Sequence, residues 1–234
     1  MDTKTNQNMK TTVFNLIILD ESGSMSPLRE STVSGCNEVL NVTRNAQKEA
    51  GDKRTNLVSI FCFQSDGNVP SRYIAKNEPA ELVNDLTPDD YQPYGGTPLL
   101  DAVGSTLTDL KAAADKCEDA TGIVTIITDG YENSSTHYSL QKVAKMISSL
   151  KELGWTFNFI GANIDVDKVS QSLNIDNAMA FLATKTGTRS MMSSLAKCMD
   201  SAQRAFEEEE CADSVAERVA MRTKRSIRFF KYKK

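Results

Sequence analysis

Short apolar runs alternate along the chain with longer segments in which apolar residues recur at helical spacing. The runs are nearly continuous and rich in β-branched and aromatic residues, as is typical of strands that are buried on both faces. We assign strands to residues 11–19, 55–63, 122–129, 155–163 and 178–183. A weaker run at residues 71–77 predicts a further strand at the edge of the sheet.

Helical patterns fill the intervals between most of these strands. They cover residues 27–50, 98–116, 139–153 and 166–173, and a long helix begins near Gly187. This last helix carries apolar residues at helical spacing: Met191, Met192, Leu195, Met199 and Phe206. Because strand and helix alternate throughout, we predict an α/β fold with a mostly parallel sheet that is covered by helices on both faces.

Length and composition indicate a globular domain that is not embedded in a membrane. The 234 residues suit one large domain, or one domain with an appendage, and 40% hydrophobic residues are enough for a core. No apolar stretch is long enough to cross a bilayer, and the polar residues 1–12 lack the apolar centre of a secretory signal. The five cysteines are widely spaced without a CxxC pair, which fits reduced thiols. We therefore expect a cytoplasmic protein.

Charge is distributed unevenly. The net charge is −4, but residues 222–234 hold seven Lys or Arg and no acidic residue, which leaves 20 basic against 31 acidic residues elsewhere, a net charge of −11. An acidic body argues against nucleic-acid binding over the whole surface. We expect residues 1–10 to be a flexible lead-in, residues 11–211 to form the domain, and residues 212–234 to be a basic C-terminal extension.

The basic tail also contains four apolar residues between its cations: Ile227, Phe229, Phe230 and Tyr232. Apolar side chains are costly to leave in water, and the acidic body would attract the cations. We expect the tail to dock on its own molecule, as an added strand or as a strap along the last helix. Binding of nucleic acid or of an anionic membrane surface is the alternative.

Hard oxygen donors follow two of the strand ends. In an open α/β sheet, ligands bind at the carboxyl ends of the strands. The first strand leads into Asp20, with Ser22 and Ser24 at alternate positions that would face the same point, and the 122–129 strand ends in Asp129. Between them, two glycines precede Thr97 just before a helix. Carboxylates and hydroxyls without sulfur or imidazole predict a hard cation, which is Mg²⁺, Mn²⁺ or Ca²⁺.

The pattern Asp20-x-Ser22-x-Ser24, followed by Thr97 and Asp129, resembles the metal-ion-dependent adhesion site of the von Willebrand factor type A (VWA) domain. The order of elements fits that family as well. The resemblance implies a three-layer Rossmann-like fold with one antiparallel edge strand, which the 71–77 segment would supply. It also implies that the two serines and the threonine touch the metal, while the aspartates act largely through water.

With these roles, three neutral hydroxyls touch the cation and only two carboxylates lie near it. A divalent cation held in this way stays electrophilic and keeps an open position, which an Asp or Glu of a partner protein can fill. A permanent calcium cage would use more direct carboxylates. We therefore expect a metal-dependent protein-binding module of the intracellular bacterial type, with Mg²⁺ as the first choice of ion and no enzymatic activity.

Other interpretations of the same residues stay open. The segment from Asp20 to Ser24 could cap the following helix, since Asp and Ser are favoured at helix N-termini. A hydrolase could use the same cation to activate water. The sequence offers no clearly placed general base for such a hydrolase. The single histidine, His137, is by default a solvated loop residue, although a pair with Ser24 is conceivable. By alternation, we expect Glu21 at the rim of the site.

Overall fold

The computed structural model describes residues 10–67, 70–209 and 211–226, and at its centre lies one six-stranded sheet. The strands are β1 (Thr11–Asp20), β2 (Arg54–Phe63), β3 (Arg72–Pro79), β4 (Asp119–Thr128), β5 (Thr156–Gly161) and β6 (Asn177–Ala180). They lie in the order β3-β2-β1-β4-β5-β6, so the first strand of the chain occupies the middle of the sheet.

The pairing of the strands confirms the predicted sheet. β1 runs parallel to both of its neighbours, β2 and β4, and the parallel pairing continues through β5 to β6. Among the described strands, β3 alone is antiparallel, and it pairs with β2 at the edge. The parallel register brings the carboxyl ends of the central strands to one edge, where Asp20 lies beside Phe63.

The helices form a layer on each side of the sheet. They are α1 (Arg29–Ala50), α2 (Leu99–Ala114), α3 (Leu140–Glu152), α4 (Val166–Ser172), α5 (Lys185–Glu209) and α6 (Val215–Ser226). α1 and α5 share one core with Val13 and Leu19 of β1, whereas α2 and α3 share a second core with Phe14 and Ile18. Alternate residues of an extended strand point to opposite faces, so β1 contributes to both cores. The predicted three-layer α/β arrangement is confirmed.

The helical spacing in α5 correctly predicted its buried face. Five apolar side chains of α5 are buried in the core that it shares with α1: Met191, Met192, Leu195, Met199 and Phe206. The two helices approach closely at Gly35, where a Cβ atom would lie 2.2 Å from Cγ of Met192. A side chain at this position would force the helices apart.

Helix α6 lies where the sequence suggested only a basic extension. Its Arg222 side chain is 1% exposed and pairs with Asp119 at 2.7 Å and with Glu209 at 2.6 Å. Arg218 adds a second contact to Asp119 at 3.1 Å. These arginines bury their charge because two carboxylates meet them, as buried ions require. The ion pairs fasten α6 to the amino end of β4 and to the end of α5.

Only part of the basic tail is described. Its first residues, up to Ser226, complete α6 and do not form an added strand. Arg222 and Arg225 pair with Glu209 of the long helix α5, so this part of the tail does lie against the last predicted helix. The aromatic residues of the tail fall at 227–234, outside the described residues, so their docking stays a prediction, as does the flexible lead-in. Within the described ranges, no helix is long and apolar enough to cross a membrane. All five cysteines lie within the described residues, none of them forms a disulfide, and three of them are buried.

Candidate metal site at the carboxyl edge of the sheet

Three chain segments meet where the central strands end. β1 ends at Asp20, and Asp129 directly follows the adjacent strand β4. The loop that leads to Thr97 and α2 is fastened to the first segment, because Gly23 N donates a hydrogen bond to Gly95 O over 3.1 Å. The parallel topology thus gathers at one edge residues that are far apart in the sequence.

A chain of hydrogen bonds links four of the predicted site residues. Ser22 N donates to Asp20 Oδ1 over 2.7 Å. Ser22 Oγ lies 3.1 Å from Ser24 Oγ, which in turn donates to Asp129 Oδ1 over 2.5 Å. Asp20 Oδ2 accepts another bond from Thr128 Oγ1 over 2.5 Å, a contact that the sequence pattern did not single out. The serine hydroxyls and the carboxylates therefore face one another.

The fifth predicted residue, Thr97, borders the same space. A Cβ atom at Gly130 would lie 3.0 Å from Thr97 Oγ1 and 3.9 Å from Asp20 Oδ2. Asn133 holds the Thr97 backbone through two bonds, one from Thr97 N to Asn133 Oδ1 at 2.8 Å and one from Asn133 N to Thr97 O at 3.2 Å. Thr97 and Asp20 thus both border Gly130, and Asp20 joins Thr97 to the hydrogen-bonded set of Ser22, Ser24 and Asp129. Their role as metal ligands stays a prediction.

The prediction that Glu21 lies at the rim of the site is wrong. Its side chain is fully buried, and Arg72 of the edge strand β3 pairs with it over 2.5 Å. Gln92 N donates to Glu21 Oε1 over 2.5 Å, and Tyr94 N donates to Glu21 O over 2.8 Å. Alternation does turn Glu21 away from the Asp20 set, but the loop before Thr97 covers it. Glu21 therefore fastens that loop to the end of β1.

The structure does not favour helix capping as the purpose of the serines. Ser22 occupies the N-cap position of the short 3₁₀ helix Gly23–Leu28, yet its side chain makes no capping hydrogen bond.

The single histidine contacts an aspartate outside the candidate site. His137 is 80% exposed, and its Nδ1 lies 3.2 Å from Asp101 Oδ2. Ser24 donates to Asp129 and is not paired with His137.

Burial perturbs both carboxylates of the site. It raises the pKa of Asp20 from 3.8 to about 6, against the opposing effect of hydrogen bonds from Thr128 and Ser22, and the nearby charge of Asp129 raises it further. Burial also raises the pKa of Asp129, and the hydrogen bond from Ser24 opposes this rise. Two acids that resist ionisation in this way would be stabilised as carboxylates by a bound cation.

The donor atoms fit a small hard cation. Adjacent ligands of an octahedral Mg²⁺ ion lie about 2.1 Å from the metal and hence about 3 Å from each other. The hydroxyl oxygens of Ser22 and Ser24 are 3.1 Å apart. No group of three or more His, Cys, Asp or Glu side chains that could hold a metal occurs in the part of the chain that the structure describes. The candidate site does not form such a group, because only two of its five donor side chains are carboxylates and the other three are hydroxyls.

No protein-family model and no curated protein matches the sequence, but solved structures match the fold. The pilus adhesin SpaC from Lactobacillus rhamnosus GG aligns with a TM-score of 0.60 at 15% identity, over 81% of this chain and 30% of the adhesin. The SpRpn10 VWA domain aligns with a TM-score of 0.52 at 11% identity, over 77% of this chain and 93% of that domain.

The chain has the von Willebrand factor type A fold. Proximal thread matrix protein 1 from the mussel byssus also aligns, with a TM-score of 0.52 at 12% identity, over 81% of this chain and 46% of that protein. The chain thus spans less than half the length of the adhesin and of the mussel protein. Identities this low establish the VWA fold alone, and the chemistry of the site rests on the residues of this chain.

Proposed function

We propose that this protein is a metal-dependent protein-binding module. In this proposal Ser22, Ser24 and Thr97 bind one divalent cation, and Asp20 and Asp129 lie in or just outside its coordination shell. The observation that carries the proposal is the meeting of three hydroxyls and two buried carboxylates at the carboxyl edge of a VWA sheet.

The charge of the site supports a role in binding. Two carboxylates balance a divalent cation, and neutral hydroxyls leave it electrophilic, so an additional anionic ligand still gains from contact with the metal. The Ser24 side chain is exposed at the surface, whereas Asp20, Ser22 and Thr97 are buried beneath it. We propose that a partner approaches the site over Ser24. We propose that an Asp or Glu of that partner completes the coordination, with Mg²⁺ as the preferred ion.

Hydrolysis by the same cation would require a general base beside the metal. The only histidine, His137, contacts Asp101 and Thr136 in an exposed loop. The carboxylates of the site are both engaged by hydroxyl or amide donors. No contact in the described residues favours the hydrolase, and we propose a binding module without enzymatic activity.

Calorimetric titration with Mg²⁺, Mn²⁺ and Ca²⁺ tests the metal site. Thr97→Ala should weaken binding about tenfold or more, because it removes one direct ligand, and a tenfold change corresponds to about 1.4 kcal/mol. Thr108→Ala is the matched control, because it makes the same substitution at an exposed threonine in α2, the helix that follows Thr97. Equal affinity of wild type and Thr97→Ala would overturn the assignment of this residue as a ligand.

The partner test compares pull-downs from a lysate in Mg²⁺ and in EDTA. Partners should be recovered by the wild type in Mg²⁺ and lost in EDTA, and Thr97→Ala should lose the same partners. Thr108→Ala should retain them. A complex that survives EDTA and the Thr97 substitution unchanged would show that the contact lies elsewhere on the surface.

A further inference from the structure

Large apolar side chains that are exposed to solvent concentrate at the edge that holds the candidate metal site. The described chain exposes five of them: Leu82, Tyr94, Tyr131, Leu153 and Leu182. Tyr94 and Tyr131 stand on the loops that carry Thr97 and Asp129, and Leu182 follows β6 at the same edge, where Phe181 N donates to Gly161 O. Leu82 and Leu153 lie toward the amino ends of β2 and β5 instead.

Tyr131 is held in place although its side chain is half exposed. It lies two residues after Asp129, and its hydroxyl oxygen accepts a hydrogen bond from Asp165 N over 2.8 Å. Asp165 belongs to the loop between β5 and α4. The ring is therefore anchored at its polar tip, and its apolar faces stay accessible on the β5 side of the site. A fixed aromatic ring loses little conformational entropy when a partner binds.

Tyr94 occupies the opposite side. It lies three residues before Thr97, its side chain is 64% exposed, and its backbone N donates to Glu21 O over 2.8 Å. Glu21 is in turn fixed by Arg72 of the edge strand β3. Tyr94 is thus attached on the β3 side of the site and Tyr131 on the β5 side. The sheet order places Asp20 and Asp129, at the ends of β1 and β4, between them.

Exposed apolar patches mark binding sites, and tyrosines are enriched among the residues that dominate binding energy at protein interfaces. We propose that Tyr94 and Tyr131 pack against the residues on either side of the partner's metal-binding carboxylate. The partner segment would then carry an Asp or Glu with apolar neighbours on both sides. Leu182, beyond β6 at the same edge, adds a third exposed apolar side chain. This inference rests on the proposed function.

A library of random peptides displayed on phage tests the inference with the whole 234-residue chain. Selection in Mg²⁺ should enrich Asp or Glu with Leu, Ile, Phe, Tyr or Trp next to it. The best peptide is then synthesised and titrated against variants. Tyr94→Ala and Tyr131→Ala should each weaken peptide binding about tenfold and leave Mg²⁺ affinity unchanged. Tyr131→Phe keeps the ring but loses the hydroxyl that Asp165 N anchors, so it should weaken binding less than Tyr131→Ala does. Leu82→Ala, an exposed residue at the other end, is the control and should bind as the wild type does.

The outcomes separate this inference from the proposed function. Mg²⁺-dependent selection of Asp or Glu with random neighbours would overturn the role of the tyrosines and leave the metal-binding module intact. Wild-type peptide affinity in Tyr94→Ala and Tyr131→Ala would do the same. Selection that ignores Mg²⁺, or that enriches no acidic residue, would overturn the proposed function and this inference with it.

Discussion

Replacing Asp20 with asparagine should stabilise the protein when divalent cations are absent. The Asp20 side chain is fully buried at the end of β1. Burial raises its pKa from 3.8 to about 6, even though Thr128 and Ser22 donate hydrogen bonds to it. At neutral pH the folded protein therefore holds a carboxylate in an environment that disfavours its charge. An amide of the same shape avoids that cost.

The size of the effect follows from the pKa. A rise from 3.8 to about 6 corresponds to about 3 kcal/mol of lost stability above pH 6. Because the folded-state pKa is the higher one, the folded protein retains a proton that the unfolded chain has released, and stability falls as the pH rises through this window. The amide of Asp20→Asn can accept from Ser22 N and donate to Thr128 Oγ1, whose own proton can turn to Gly130 O at 3.1 Å.

Thermal unfolding in EDTA measures the change. At about pH 7.5 the melting temperature of Asp20→Asn should exceed that of the wild type by about 6–12 °C, and at about pH 4 the difference should be small, because the wild-type acid is then protonated. Asp52→Asn, at an exposed position, is the control and should melt like the wild type. Excess Mg²⁺ should raise the melting temperature of the wild type, since the cation compensates the Asp20 charge, and should raise that of Asp20→Asn less.

A melting temperature of Asp20→Asn at or below the wild-type value in EDTA at neutral pH would refute this reasoning. It would mean that the hydrogen bonds to the ionised carboxylate contribute more than its burial costs. An equal response of both proteins to Mg²⁺ would separately remove Asp20 from the metal site.

Two further substitutions test the packing of the domain. Asp119→Asn should reduce the free energy of unfolding by about 3–5 kcal/mol, because it leaves the buried charges of Arg218 and Arg222 without this carboxylate. Denaturant titration measures the change, and a loss below about 1 kcal/mol would contradict the inferred ion cluster. Gly122→Ala should cost about 1–3 kcal/mol or more, because its Cβ atom would lie 2.2 Å from the Trp155 ring; a wild-type melting curve would contradict this packing.

Local patterns in the sequence predicted the strands, the helices up to α5 and the composition of the candidate site, but not helix α6. Nearly continuous apolar runs predicted five strands of the sheet, and the weak 71–77 run predicted the edge strand β3. The antiparallel direction of β3 was implied by the resemblance to the VWA domain and is confirmed. This works because side-chain periodicity reflects which faces are buried, and a parallel sheet buries both. The same logic placed Asp20 and Asp129 at one edge, since parallel strands carry their carboxyl ends to the same side.

Tertiary structure alone decided which charged residues are buried. Glu21 is buried because Arg72, 51 residues away, reaches it from the edge strand. Arg222 is buried because Asp119, 103 residues away, and Glu209 meet it beneath α6. A charged side chain is exposed by default, and only a partner brought close by the fold can offset the cost of removing it from water. That partner has no fixed sequence spacing, so the local pattern carries no signal for it.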